Sequence, residues 1–196
     1  MKYNTIKGMV LFCLLALGSN AAAANLITNT YRQHRSHFFV MGGIINGGTV
    51  RFDGESFESN IGLSCGAGFD IAANNWMYVG VIFDLHDAQI FEEREAMLNL
   101  SLAFKPVIYK HKKKVAYKPN IAVGFADLGG FNDIVQLEHT QYLTLKAGFE
   151  VVFFGRQKYV WTAEVGVWGS PYCFNNEYDI TFGPIIQARI GVMFMN

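Results

Sequence analysis

Eight charged residues fall within runs of alternating polarity, and their pairing is the first chemistry this chain offers. They are Asp70, Asp84, Glu150 and Glu164 with Lys105, Lys118, Lys146 and Arg189. Counted up from the short turns between the runs, they sort into a lower set (Asp70, Glu150, Lys105, Lys118) and an upper set (Asp84, Glu164, Lys146, Arg189). Each set sums to zero. A charge removed from water is costly unless it is paired, so two neutral sets on one polar face predict two layers of ion pairs. Glu164, with Lys146 and Arg189 on its neighbouring runs, is expected at the centre of a Lys–Glu–Arg network.

Catalytic chemistry has thinner support. Asp84, His86 and Asp87 close one run, and Glu138-His139 open another. A nucleophile needs a hydroxyl within hydrogen-bond reach of its base, and Ser170, the one candidate, is placed beside neither His by the sequence. The five His are scattered and no Cys-x-x-Cys occurs, so no metal cage is expected. Glu92, Glu93 and Glu95 around Arg94, with Asp87, are carboxylates of the kind that hold Ca²⁺ or Mg²⁺, but a solvated acidic loop is the simpler reading. No cofactor is implied. Cys65 on an apolar face and Cys173 in the last loop are expected beyond the ~7 Å Cα separation a disulfide needs.

The elements that carry these residues follow from period and punctuation. Residues 1–24 read as a cleaved secretory signal: Lys2 and Lys7, an apolar core Met9 to Leu17, and a small-residue exit to Ala24. That core is shorter than the ~20 residues of a membrane helix. Residues 25–36 read as a polar tail, and 37–196 as one domain. Within it, eight runs alternate apolar and polar residues with period two, which argues strand; an example is Leu63, Cys65, Ala67 and Phe69 against Gly62, Ser64, Gly66, Gly68 and Asp70. Short turns at 72–75, 110–114 and 154–157 alternate with longer loops at 46–58, 87–96, 126–141 and 169–179. Pro106, Pro119 and Pro184 fall near run ends, where a sheet tolerates them.

Free charge is sorted by end. The four longer loops hold twelve carboxylates against Arg51 and Arg94, a net of −10. The opposite end holds Arg32, Arg35, Lys110, Lys112, Lys113, Lys114, Arg156 and Lys158, a net of +8. A negative outer end repels phosphates and argues against nucleic-acid partners; the Lys110–Lys114 run suits anionic lipid headgroups. Eight strands enclose too little room for about five large apolar side chains each, and glycines crowd the polar face. The apolar face is therefore expected outward, against lipid, in an eight-stranded antiparallel transmembrane barrel. Aromatics near strand ends (Trp76, Tyr109, Tyr117, Tyr159 and Trp161 at one border, Phe125, Tyr142 and Trp168 at the other) are expected to form interfacial girdles.

The pattern over residues 37–194 resembles the small eight-stranded outer-membrane barrels, the membrane domain of outer membrane protein A and its OmpX-like and opacity-like relatives. Strand count, the alternation of short turns and long loops, the run Gly62-Leu63-Ser64-Cys65-Gly66-Ala67-Gly68-Phe69-Asp70 and the interior ion set carry the resemblance. Such barrels usually end in an aromatic residue, whereas Met195 and Asn196 follow Phe194 here. The resemblance implies a Gram-negative outer membrane, contact with its lipids and lipopolysaccharide, and a non-enzymatic role in structure, adhesion or host-surface interaction through the four loops. The competing readings are a lipid A-modifying enzyme and a narrow channel or conduit.

Overall fold

A computed structural model describes residues 36–195 except 47, 53, 59, 75, 91–92, 111–114, 131–139, 154–158 and 175–179. The signal and tail readings for 1–35, and His139 with Glu138, therefore lie outside the described residues.

The strands are β1 (Ser36–Asn46), β2 (Thr49–Phe52), β3 (Glu55–Glu58), β4 (Asn60–Ala72), β5 (Met77–Ile90), β6 (Glu93–Pro106), β7 (Ile108–Lys110), β8 (Val115–Gly130), β9 (Thr140–Phe153), β10 (Tyr159–Cys173) and β11 (Ile180–Met195). Eight of them, β1, β4, β5, β6, β8, β9, β10 and β11, pair antiparallel in that order, and β11 returns to β1 to close the barrel. Closure leaves none of the eight with an open edge in the wall. Among the described residues no helix is long and apolar enough to cross a membrane; the wall is made of strands.

Inside and outside follow period two. Leu63, Phe125 and Ile190 are 63 %, 59 % and 61 % exposed on the outer surface, while Asp70, Lys118 and Glu150 are fully buried within the barrel. Such a wall is stable where lipid covers it. Cys65 lies on the outer face and Cys173 inside, and no disulfide joins them.

Two expectations need correction. The loop ends are mostly strand: β2 and β3 form a hairpin inside 46–58, turned at Gly54 (φ +89°), and β2 pairs with Ile180–Phe182 of β11. The described residues of 87–96 are strand, and 126–141 and 169–179 begin or end as strand. Beyond the lipid both faces are wet, so the apolar alternation that announces a strand fades while backbone pairing continues. Secondly, the run 97–109 is broken at Val107, whose N–H donates to Trp76 O (2.7 Å), so β6 ends at Pro106 and β7 begins anew. The turn after β4 is tied by Ala73 N–H to Met77 O (3.0 Å), and Asn74 Oδ1 accepts from the Trp76 N–H (3.0 Å), the local bond for which Asn favours turns.

Candidate functional site: two charge layers in the lumen

The end of the barrel with short turns is sealed by apolar side chains pointing inward. Phe39, Met41, Tyr78, Val152, Val160 and Met193 pack there with Ile82 and Val107. Sequence reasoning missed this cluster. Its signal was the continuous apolar runs Phe38-Phe39-Val40-Met41, Val151-Val152-Phe153 and Val192-Met193-Phe194: where both faces of a strand are apolar, one set must enter the lumen.

Directly inward of the seal lies the first charge layer. Lys105 Nζ is 3.0 Å from Asp70 Oδ1 and 3.4 Å from Glu150 Oε2; Lys118 Nζ is 3.4 Å from Asp70 Oδ2 and 3.8 Å from Glu150 Oε1. Thr162 Oγ1 donates to Glu150 Oε1 (2.9 Å). Both ammonium groups also lie over rings of the seal, Lys105 4.2 Å from the Phe39 centroid and Lys118 5.2 Å from that of Tyr78, within the range of cation–π attraction. His37 stacks on Tyr78 (4.6 Å).

Asp70 reaches Lys105 across an intervening strand because β5 presents Gly80 there. A Cβ at Gly80 would collide with Asp70 Oδ1. The glycine is what the short reach of an aspartate requires.

The second layer joins Lys146 Nζ to Glu164 Oε1 (2.6 Å) and Asp84 Oδ2 (3.8 Å), and Arg189 Nη2 to Glu164 Oε2 (2.9 Å), while Arg189 Nη1 donates to Asp84 Oδ1. Gln187 Nε2 also donates to Glu164 Oε1 (3.0 Å). The guanidinium passes over Gly66, where a Cβ would meet both Asp84 Oδ1 and Arg189 Nη1. In hydrogen-bond register Glu164 sits opposite Arg189 on β11 but opposite Glu150 on β9. Its carboxylate instead meets Lys146, four residues along β9, because the tilt and stagger that close a barrel bring staggered positions to one height.

Above this layer His86 and Trp168 stack at 4.8 Å and 19°. β5 and β10 lie on opposite sides of the eight-strand order, so the two rings bridge the lumen. Thr144 Oγ1 donates to Asn99 Oδ1 (2.9 Å) beside them.

The girdle residues divide. Trp161, Tyr159 and Phe125 are exposed on the outer face, and Trp76 and Tyr117 are partly so. Tyr142 and Trp168, expected at the outer border, are instead buried inside. Each shares the parity of its strand's inward residues, Thr144 and Lys146 for one and Glu164 and Gly166 for the other, and the pleat overrides the preference of an aromatic ring for an interface. The side chain of Tyr109 is outside the described set; its backbone pairs with Ala116.

Among the described residues the catalytic candidates are not assembled. Asp84 is committed to Arg189 and Lys146. Asp87 lies on the face opposite His86, and Ser170 Oγ donates to Tyr172 O (3.0 Å). Ser64 lies opposite His86 in register, both inside, and neither Ser64 Oγ nor His86 Nδ1 has a hydrogen-bond partner among the described residues. Among the described residues no three His, Cys, Asp or Glu gather to hold a metal ion.

No family model matches the chain, and no curated protein matches it by sequence. Its fold is that of small outer-membrane barrels. It is similar to the crystal structure of Neisserial surface protein A (TM-score 0.57, 9 % identity, 81 % of this chain and 97 % of that one). It is likewise similar to the outer membrane protein OprG from Pseudomonas aeruginosa (TM-score 0.51, 10 % identity, 83 % and 97 %).

Proposed function

We propose that this chain is a non-enzymatic barrel of a Gram-negative outer membrane, exported through a cleaved signal, whose lumen is plugged by its paired charges and whose acidic end faces outward. The observation that carries the reading is the pair of four-residue ion networks spanning the lumen beneath an apolar outer wall. Eight buried charges with every carboxylate in reach of two cations do the work of a filler, and an open ion path would need them hydrated.

The role that remains is presentation. The membrane holds the wall, and the acidic strand ends and loops at 46–58, 87–96, 126–141 and 169–179 offer a surface for a host or envelope partner of positive charge. Contact with lipopolysaccharide and other outer-membrane lipids accompanies that placement, and nucleic acid does not. The Neisserial neighbour is named a surface protein, which agrees with this reading.

Two measurements test it. Reconstituted in a planar bilayer, the protein is expected to give no stepwise conductance; discrete openings would replace the plug with a channel. Mass profiling of lipid A from a deletion strain is expected to match the parent, and a changed acylation pattern would favour the enzyme reading.

A further inference from the structure

Asp127 is a carboxylate on the outer face. The inward positions of β8 are Lys118, Asn120, Ala122, Gly124 and Ala126, so Asp127 points away from the lumen at the loop end of the apolar wall. It pairs in register with Gln141 on β9 and Leu98 on β6. On the same outer surface Phe83, Leu98, Leu100 and Phe125 line an apolar hollow, and Asp127 and Gln141 stand at its border. Phe174 extends the wall beside Phe125, its ring 5.8 Å away and its backbone N–H held by Gln141 O (2.9 Å). Asp127 Oδ1 is shielded from solvent and accepts no hydrogen bond among the described residues.

The two halves of this hollow ask for different things. Its floor wants hydrocarbon, and its border holds an anion with an unused acceptor, which costs stability until a donor arrives. One molecule satisfies both: an amphiphile with acyl chains below and a cationic donor above. We infer that the hollow seats a membrane lipid whose headgroup carries a primary ammonium. The acyl chain lies along Leu98, Leu100, Phe83 and Phe125, and the ammonium donates to Asp127 Oδ1 beside the Gln141 amide. A lipid with only negative charge is repelled by the same carboxylate, and a quaternary ammonium matches the charge but brings no N–H.

The inference rests on the bilayer reading above, and the test separates the two. The full-length mature protein, folded in detergent, is mixed with equal amounts of phosphatidylethanolamine, phosphatidylcholine and phosphatidylglycerol of matched chains, and retained lipid is read by native mass spectrometry. The ethanolamine lipid is expected to exceed each of the others about tenfold, equal to ~1.4 kcal/mol. Asp127→Asn is expected to bring the ethanolamine-to-choline ratio to about one while the heat-sensitive gel mobility of the folded barrel stays unchanged. Equal retention of the three lipids by a folded barrel, or an unaltered preference in Asp127→Asn, overturns this inference alone. A chain that folds in none of the detergents or lipids, yet stays monomeric in plain buffer, overturns the bilayer reading and this inference with it.

Discussion

The two charge layers carry the same formal charges and solve their desolvation differently. The layer near the turns uses two lysines, and each completes its surroundings with an aromatic ring: Lys105 over Phe39 and Lys118 over Tyr78. An ammonium is a compact point charge, and here the quadrupoles of the seal do what water would do elsewhere. The layer toward the loops uses one lysine and an arginine, whose planar fork bonds Asp84 and Glu164 at once. Amides and hydroxyls surround it: Gln187 donates to Glu164, and Thr144 donates to Asn99, which lies opposite Asp84 in register. A dry, ring-packed layer tolerates little geometric change; a hydrogen-bonded one depends on the chemistry of its donors.

The largest effect is expected where that dependence is greatest. Glu164 neutralises both Lys146 and Arg189, so Glu164→Ala leaves cations buried with Asp84 as their only remaining acid in the layer. Breaking a buried pair in this way costs about 3–5 kcal/mol, and the urea midpoint of the folded barrel in micelles should fall accordingly. An unchanged midpoint would mean that water already reaches this layer and that the two layers are not comparable as plugs.

Steric substitution should reverse the ranking. Gly80→Ala drives a methyl into Asp70 in the ring-packed layer, and Gly66→Ala drives one between Asp84 and Arg189. Overpacking of a tight interior costs about 1–3 kcal/mol. The long arginine has rotamers with which to yield, while Asp70 is held by Lys105 and Lys118 together. Gly80→Ala is expected to be the more damaging of the two in the same urea titration, and equal losses would show that dryness does not distinguish the layers. Arg189→Lys keeps the charge but removes the fork. With one of its two charge-assisted hydrogen bonds lost, it should cost about 1.5–3 kcal/mol, most directly seen as a faster unfolding rate in denaturant.

How much of this could be read from residues alone depends on which force set each feature. Inward parity of Asp70, Lys105, Glu164 and the other charges was legible because period two leaves a residue only two directions, and a charge in a lipid-facing wall has one of them closed. Tyr142 and Trp168 were misjudged by weighing their ring type above that same parity. The Lys146–Glu164 contact was legible as a pairing of neighbouring strands, but its offset of four residues from Glu150 was not, because barrel tilt is a property of the closed sheet. The inward cluster of Phe39, Met41 and Met193 was hidden for another reason: in a run apolar on both faces, hydrophobicity does not say which face lipid takes. The strand extensions at β2, β3 and the ends of β8 and β10 were illegible because outside the bilayer neither face needs to be apolar.

The finest contrast between the layers lies in two threonines whose hydroxyls each make a 2.9 Å bond, Thr162 to the Glu150 carboxylate and Thr144 to the Asn99 amide oxygen. Valine has nearly the same shape, so Thr→Val deletes the hydroxyl with little change in packing. A hydrogen bond to a charged group contributes about 1.5–3 kcal/mol and one between neutral groups about 0.5–1.5 kcal/mol. Thr162→Val should therefore lower the unfolding midpoint more than Thr144→Val, by roughly twofold in free energy. The carboxylate of Glu150 keeps Lys105 and Lys118 in either case, which holds the loss near the lower end of its range. If Thr144→Val proves the worse of the two, the loop-side layer is the drier one. The aromatic seal would then have to be read as packing that happens to lie near two ammonium groups, with no part in their solvation.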